Sequence, residues 1–253
     1  MTEDLIEISN LDIEYKKSLI VEQINTTVEK AKFTALIGIN GSGKSSLLRI
    51  LAGLQKYKTG EILISGKKIQ DYRPREFAKQ LSFVSTELVS APYMTVQEFL
   101  LLQRYAHKTS SSEEQDLFEV DNALQIVDIE MFRLRKLNEL SDGERRKVMI
   151  AGAIAQNTPV IILDEPAAFL DMHAEDALYK LLRKLVDETG KTVLVSTHNV
   201  NEIMQIADKI WIIQNNNLST YSPKIIKEQD LLRGFFGKSG LSFDQKQERF
   251  LII

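Results

Sequence analysis

Apolar and polar residues alternate along most of the first third of the chain. The segments "LIEISNLDIEY", "LIVEQINTTVE" and "GEILISGKKI" carry an apolar residue at nearly every second position. That period is typical of a strand with one buried face, so these segments predict an antiparallel sheet with one face in water. Between them lies "KFTALIG", a continuous apolar strand. It runs through "INGSGKSS" into a helical segment, "LLRILAGL", which we expect to end at Gly60.

The middle of the chain has the period of helices. Two possible capping boxes begin at Thr95 and Ser112, with Glu98 and Gln115 three residues further on. The apolar residues of the second predicted helix fall on one face: Leu117, Val120, Leu124 and Val127. We interpret residues 88–156 as a helical insertion in an α/β domain.

The last third returns to strands. The apolar segments "PVIILDEP" and "KTVLVSTH" end in polar residues, which is typical of parallel strands buried on both faces. The helix predicted between them ends at Gly190, and "KIWIIQNNN" is a further strand. We assign residues 1–222 to one α/β domain with a mixed sheet. Residues 223–253 form a short extension, in which "LSFDQKQERFLII" favours a terminal hairpin.

Composition sets limits on the possible functions. The chain has 253 residues, 43% hydrophobic and 26% charged, enough to bury a sizeable core. Its net charge of −3 gives no general electrostatic reason to bind nucleic acid. The lack of cysteine excludes disulfides, thiolate metal sites and cysteine nucleophiles. No apolar run reaches the length of a membrane span, and the N-terminus is unlike a secretory signal, so we expect a cytoplasmic protein.

The segment "GINGSGKS", Gly38–Ser45, fits the pattern G-x-x-x-x-G-K-[ST] between a strand and a helix. Its glycines let backbone N–H groups surround phosphate oxygens. Lys44 adds positive charge, and the Ser45 hydroxyl can bind Mg²⁺. The alternative without a ligand is a glycine-rich turn with a solvated lysine. The strand before the segment and the helix after it disfavour that alternative. The predicted nucleotide-binding residues here are Asn40, Gly41, Ser42, Gly43, Lys44, Ser45 and Ser46.

Two carboxylates follow a predicted buried strand. Asp164 comes directly after Val160–Leu163, at the sheet edge where α/β proteins bind ligands. It is a candidate Mg²⁺ ligand, and Glu165 can polarise a water in line with the γ-phosphate. His198 ends the next strand at the same edge, where we expect a γ-phosphate contact. A second carboxylate beside the Mg²⁺ ligand favours a hydrolase over a kinase.

A second anion-binding segment is "LNELSDGERRKV", which opens a predicted helix. The helix N-terminus favours negative charge, Ser141 offers a hydroxyl, and Gly143 allows close backbone approach. The pair Ser141 and Glu144 is also a capping box, with or without a ligand.

These segments together resemble the nucleotide-binding subunit of ATP-binding cassette (ABC) transporters, from about Leu5 to Asn217. "GINGSGKS" resembles the Walker A motif, "VIILDEP" the Walker B motif, "LSDGE" the signature, "AAFLD" the D-loop that ends at Asp171, and "STH" the switch loop. Tyr15 resembles the aromatic residue that stacks on adenine.

The resemblance implies a P-loop NTPase of the ABC-ATPase fold with ATP and Mg²⁺ as cofactors. It also implies a homodimer in which each ATP lies between the phosphate loop of one subunit and the signature loop of the other. One chain therefore has two phosphate-binding ends, since it supplies half of each of two sites.

The segment "TVQEFLLLQRYAH" is similar to one in importers of iron–siderophore complexes, haem and cobalamin. This resemblance implies integral-membrane permease partners, attachment to the inner face of the cell membrane, and an indirect partnership with an extracytoplasmic substrate-binding protein. The net charge, with no basic bias and no long coiled-coil insertion, predicts no nucleic-acid partner. Two other hypotheses stay open: a soluble ABC ATPase of iron–sulfur cluster assembly, and an ATP-dependent regulator with weak hydrolysis.

Two positions depart from the family pattern. Thr86, in "LSFVSTELVS", stands where the family has a glutamine that reaches the magnesium ion. Its hydroxyl is a candidate Mg²⁺ ligand in that place. Asp142 replaces a signature glycine, and we expect it to point towards solvent or its own helix end. Neither change removes Lys44, Asp164 or Glu165, so we predict an active ATPase.

Overall fold

The computed structural model describes residues 4–15, 18–168, 170–233, 241–244 and 249–252. The strands in these ranges are β1 (Asp4–Tyr15), β2 (Ser18–Glu29), β3 (Phe33–Gly38), β4 (Glu61–Ile64), β5 (Lys67–Lys68), β6 (Leu81–Val84), β7 (Val160–Asp164), β8 (Thr192–Ser196), β9 (Lys209–Gln214), β10 (Asn217–Tyr221), β11 (Leu241–Asp244) and β12 (Arg249–Ile252). The helices are α1 (Lys44–Leu51), α2 (Pro74–Phe77), α3 (Val96–Gln103), α4 (Glu113–Val127), α5 (Asp142–Ala155), α6 (Met172–Thr189), α7 (Val200–Ile206) and α8 (Pro223–Glu228). Across these ranges, no helix is both long enough and apolar enough to cross a membrane.

The first sheet has the strand order β2-β1-β4-β5, and neighbouring strands are antiparallel. Along β1, Leu11 and Ile13 are buried, whereas Asp12 is partly exposed and Glu14 is exposed. This alternation confirms the prediction of an antiparallel sheet with one face in water.

The second sheet, of order β10-β9-β3-β8-β7-β6, is parallel except for β10. Its register pairs Ser196 with Leu36 on one side and with Asp164 on the other, and Leu163 pairs with Val84. The carboxyl ends of β3, β8, β7 and β6 therefore meet along one edge. The continuous apolar strands predicted from the sequence are confirmed, because β3, β7 and β8 are buried at every position.

The parallel sheet lies between two apolar cores. Phe33, Ala35 and Ile37 pack in the cluster that includes α5 and α6. Leu36, between them on β3, packs with α1 and the first sheet. The side chains of β3 thus point alternately into the two cores. This packing fixes the position of the segment after β3, which leads into α1.

The helical segment between β6 and β7 begins as predicted. Thr95 caps α3 by accepting a hydrogen bond from the Glu98 N–H (3.3 Å), and Glu98 accepts one from the Thr95 N–H (2.8 Å). Ser112 caps α4 through the Gln115 N–H (3.1 Å). The predicted apolar face of α4 is buried at Val120, Leu124 and Val127 and partly buried at Leu117. The extent of an inserted subdomain, residues 88–156, stays a prediction, as does a domain boundary at residue 222.

The predicted end of α1 at Gly60 was wrong. The helix ends at Leu51, and Gly53 follows with a φ of 69°. Gly60 instead allows a close approach between chain segments, because a Cβ there would lie 2.6 Å from the Asn10 carbonyl oxygen. The predicted helix end at Gly190 is confirmed; this C-cap has a φ of 66°.

The predicted terminal hairpin is confirmed for the residues that the structure describes. Strands β11 and β12 are antiparallel, with Phe243 opposite Phe250. The Asn201 side chain, on α7, donates to the Phe250 carbonyl (3.2 Å) and accepts from its N–H (2.7 Å). Residues 245–248 of the predicted hairpin lie outside the described ranges.

Candidate active site

The phosphate loop follows β3 and ends in the first turn of α1. Gly43 caps α1 with a φ of 101°, a conformation that favours glycine. A Cβ at Gly38 would lie 2.4 Å from Ser42 Oγ and 3.2 Å from the Ile213 carbonyl oxygen, so a larger residue would displace the Ser42 side chain. Among the other predicted residues of the loop, Asn40 and Gly41 are exposed, and Ser42, Ser45 and Ser46 are partly buried. The N–H groups at the start of α1 form an anion-binding end.

Lys44 is the buried cation of this loop. Only 5% of it is exposed, and Nζ donates hydrogen bonds to the carbonyl oxygens of Gly38 (2.8 Å) and Ile39 (3.3 Å). Burial lowers the pKa of Lys44, and the nearby charges of Glu165 and Asp164 oppose that shift. The loop carbonyls therefore hold the cation within electrostatic reach of both carboxylates.

Asp164 lies at the end of β7 and is fully buried. Its Oδ1 accepts a hydrogen bond from Ser196 Oγ (2.7 Å), whereas Oδ2 has no hydrogen-bond partner among the described residues. A buried carboxylate oxygen without a partner is costly unless a ligand satisfies it. Asp164 and the Ser45 hydroxyl are a donor set that suits Mg²⁺, which commonly takes one or two protein ligands and phosphate oxygens. These residues fit the ion.

Glu165 leaves the strand in a left-handed conformation, with a φ of 48°. Its N–H donates to Ser196 Oγ (2.9 Å), and its Oε1 lies 2.6 Å from His198 Nε2. The Glu165 side chain is 28% exposed and that of His198 is 46% exposed. Both line a cavity of about 460 Å³. A carboxylate fixed in this way, beside the phosphate loop and open to water, can accept a proton from an attacking water.

Ser196 organises both carboxylates, and sequence reasoning did not identify it as a site residue. Its hydroxyl donates to Asp164 and accepts from the Glu165 N–H, so one side chain fixes two neighbouring residues. The available signal was a hydroxyl at the end of an otherwise apolar strand, directly before "TH".

Thr86 borders the same edge, just after β6. Its hydroxyl donates to the Asp164 backbone carbonyl (3.2 Å), and its own carbonyl accepts from buried Arg146 (2.6 Å). A role for Thr86 as a Mg²⁺ ligand stays a prediction. No local pattern around Arg146 indicated that it would lie under this segment.

Tyr179, on α6, supports the loop that carries His198. Its hydroxyl donates to Thr197 Oγ1 (2.6 Å), which also accepts from the Asn199 N–H (3.0 Å). Burial raises the pKa of Tyr179 far above its usual value, so the hydroxyl stays protonated and donates. In the sequence this tyrosine looks like any other apolar residue of a helix.

Replacing Tyr179 with phenylalanine is expected to lower both stability and turnover modestly. The free energy of unfolding should fall by about 1 kcal/mol, the usual value of one hydrogen bond. The kcat should fall about threefold, ~0.6 kcal/mol, because His198 is less well fixed. Urea unfolding and steady-state phosphate release measure the two effects.

Tyr72→Phe is the matched control, because the Tyr72 hydroxyl also donates one hydrogen bond, a partly buried one to the Ile64 carbonyl (2.7 Å), away from the site. It should lower stability alone. An equal loss of kcat in both variants would contradict a specific role for Tyr179.

The signature segment forms the start of α5. Ser141 Oγ accepts from the Glu144 N–H (3.3 Å), and Glu144 accepts from the Ser141 N–H (2.7 Å) and hydroxyl (2.8 Å). The bonds from the Ser141 N–H and hydroxyl lower the pKa of Glu144. Asp142 pairs with Arg145 on its own helix. Ser141 is exposed and Gly143 is partly exposed, at a helix N-terminus that is open to a ligand.

Two further predicted residues lie at element ends. Asp171 is exposed and caps α6, with Oδ1 accepting from the Ala174 N–H (2.9 Å). Tyr15 ends β1 opposite Ser18, and its side chain lies outside the part that the structure describes.

Comparison with known proteins identifies the family. The ABC transporter family model matches residues 21–168, more than half of the chain. An uncharacterised ABC transporter ATP-binding protein of Methanocaldococcus jannaschii is 33% identical over 95% of this chain and 84% of its own length. The petrobactin import ATP-binding protein YclP of Bacillus subtilis is 32% identical over 87% of each chain.

Solved structures agree with this result. A chain of an inward-facing ABC transporter, described as of the metal-chelate type, matches with a TM-score of 0.81 and 26% identity, over 99% of this chain and 96% of that one. A dimeric post-hydrolysis ATP-binding cassette bound to ADP and Pi matches with a TM-score of 0.77 and 28% identity, over 86% of this chain and 98% of that one.

The chain has the ABC-ATPase fold, as the sequence predicted. It belongs to the ABC transporter family and is an ATPase.

Proposed function

We propose that this chain is the ATP-hydrolysing subunit of an importer for a metal chelate of the iron–siderophore, haem or cobalamin class. The main support for ATP hydrolysis is the contact between Glu165 and His198. It lies beside Asp164, whose Oδ2 lacks a hydrogen-bond partner in the described residues. The cargo class is supported by the petrobactin importer subunit among the relatives and by the metal-chelate-type transporter among the similar structures.

The chemistry follows from the position of each side chain. Lys44 and the N-terminus of α1 bind and orient the phosphates, and Ser196 keeps the Asp164 carboxylate aimed at the edge of the sheet. Asp164 and Ser45 would hold Mg²⁺, which supplies positive charge to the phosphate oxygens when bound. Glu165 orients the attacking water and accepts its proton, while His198 holds the carboxylate and offers a contact for the γ-phosphate.

The working unit in this proposal is a homodimer with ATP at the interface. Each signature loop, with Ser141, Gly143 and the α5 N-terminus, would complete the site of the other subunit. This arrangement accounts for an exposed anion-binding end on a chain that already has a phosphate loop. A symmetric pair of this kind closes as a dimer.

A groove on the helical segment suits a permease helix. It has a volume of about 620 Å³ and is lined by residues that include Leu101, Leu102 and Tyr105. Leu102 and Tyr105 are 52% and 54% exposed, respectively. Exposed apolar residues around a concave surface are typical of interaction sites. Docking there would place the chain at the inner face of the cell membrane, with the extracytoplasmic substrate-binding protein an indirect partner.

The segment that resembles one in metal-chelate importers lines part of this groove. Arg104 is buried and pairs with Asp116 (2.9 Å), and His107 Nε2 bonds to the Gln156 carbonyl (3.0 Å). Both contacts tie the turn after α3 to its neighbours, α4 and the end of α5. The segment therefore supports membership of the metal-chelate importer branch because it shapes the proposed docking surface, and not because it contacts cargo.

Purification from the native membrane tests the importer proposal. The tagged chain, extracted in mild detergent, is expected to bring down a multi-span permease in equal stoichiometry. Leu102→Asp should reduce that recovery at least about tenfold, since it places a charge in an apolar interface. Mass spectrometry of the eluate gives both results.

Leu54→Asp is the control, because Leu54 is 67% exposed but does not line the groove. It should leave the recovery unchanged. A scaffold protein of iron–sulfur cluster assembly as the sole partner would overturn the importer proposal and favour the soluble ATPase.

A further inference from the structure

Arg146 is a fully buried cation on the helix that begins at the signature segment. Its guanidinium donates hydrogen bonds to two consecutive carbonyl oxygens, those of Ser85 (2.6 Å) and Thr86 (2.6 Å). A planar guanidinium holds two such acceptors with N–H groups in a fixed fork, so it sets their relative position more firmly than a flexible ammonium group.

The segment that Arg146 holds, Ser85 and Thr86, lies against the sheet edge that carries Asp164 and Glu165. Strand β6 pairs with β7 up to Val84 and Leu163, and the Thr86 hydroxyl then donates to the Asp164 carbonyl (3.2 Å). Burial lowers the pKa of Arg146, and the charges of Asp164 and Glu165 act in the opposite direction. Both carboxylates are thus within electrostatic reach of the guanidinium.

We propose that Arg146 is a positioning residue that couples the start of α5 to the Asp164–Glu165 edge through Ser85 and Thr86. This inference rests on the catalytic site proposed above. Because Ser141 caps the helix that carries Arg146, we expect a displacement of the signature loop to move the guanidinium, and with it the Thr86 segment beside the end of β7. The buried cation also offsets the charge of two carboxylates that must lie beside phosphate.

Arg104 offers a matched control. It is also a buried arginine, 3% exposed, and its guanidinium donates to two consecutive carbonyl oxygens, those of Ala155 (3.1 Å) and Gln156 (3.4 Å). Those carbonyls lie at the other end of α5, away from the carboxylates. Arg104→Met therefore removes at least as large a structural contact, because Arg104 also pairs with Asp116, and it does not touch the proposed coupling.

The test compares Arg146→Met, Arg146→Lys and Arg104→Met in the full chain. We measure kcat and KM for MgATP, binding of a non-hydrolysable ATP analogue, and thermal unfolding. Arg146→Met should lose at least about tenfold in kcat, ~1.4 kcal/mol, with KM and analogue affinity within about twofold of the parent. Arg146→Lys should recover part of kcat, since it keeps the charge. Arg104→Met should unfold at a lower temperature and keep the parental kcat per folded molecule.

A parental kcat in Arg146→Met, or an equal loss of kcat in Arg104→Met, would overturn the proposal. If Arg146→Met does not fold, Arg146→Lys decides: a kcat about threefold or more below the parent supports the coupling, and a parental kcat overturns it. Failure of the catalytic site itself looks different, because Glu165→Gln would then hydrolyse ATP as fast as the parent.

Discussion

Replacing Glu165 with glutamine is expected to lower kcat for ATP hydrolysis by about 100-fold or more, the range that a general base contributes. Glutamine keeps the size of the side chain and can still bond to His198, whose Nε2 lies 2.6 Å from the present carboxylate oxygen. It cannot accept a proton from water. The loss should therefore fall on kcat, with the affinity for ATP unchanged within about twofold.

Steady-state phosphate release and equilibrium binding of ATP measure the two quantities. Glu175→Gln is a suitable control, because Glu175 lines the same cavity but its carboxylate accepts from Asn199 (3.3 Å), not from His198. It makes the same change of charge and should keep kcat near the parental value. Parental turnover in Glu165→Gln would instead support a regulator that closes on ATP and hardly hydrolyses it.

Local sequence patterns were sufficient to predict most of the fold and the phosphate loop. The "GINGSGKS" segment can be recognised because its chemistry is contiguous: the strand, the glycines, Lys44 and the first turn of α1 adjoin one another along the chain. The continuous apolar runs of β7 and β8 likewise predict a parallel sheet, and that sheet puts Asp164 and Ser196 side by side. Periodicity and strand ends were sufficient there.

Contacts between distant segments could not be predicted in this way. Arg146 reaches Ser85 and Thr86, and Tyr179 reaches Thr197, across separations that no local pattern encodes. In both cases the side chain takes a core position on its helix. The partner of its polar end can therefore be identified only when the packing of the helix is known. The wrong end predicted for α1 has a related cause. A glycine can end a helix or allow close approach of two segments, and the second use, at Gly60, depends on β1.

Replacing Lys44 with methionine is expected to weaken ATP binding by about 100-fold, ~2.7 kcal/mol, as befits the loss of a charged hydrogen-bonding group from a phosphate site. Methionine keeps most of the length of the side chain but removes the charge and the donors to Gly38 and Ile39. Titration with a fluorescent ATP analogue gives the affinity directly. Hydrolysis at a fixed, subsaturating ATP concentration should fall at least as far.

The stability of the nucleotide-free chain separates a binding defect from misfolding. Burial lowers the pKa of Lys44, which means that the charged form costs free energy when no phosphate is present. Loss of two hydrogen bonds acts in the opposite direction, so the free energy of unfolding should change by no more than about 1 kcal/mol.

Lys191→Met is the matched control. Burial also lowers the pKa of Lys191, and its Nζ donates to Asn157 Oδ1 (2.7 Å) and the Thr158 carbonyl (3.0 Å), beside the amino end of β8. It should keep the parental ATP affinity, because the phosphate loop lies at the opposite end of the parallel strands. A similar loss of affinity in both variants would mean that Lys44 acts through the fold and not through phosphate.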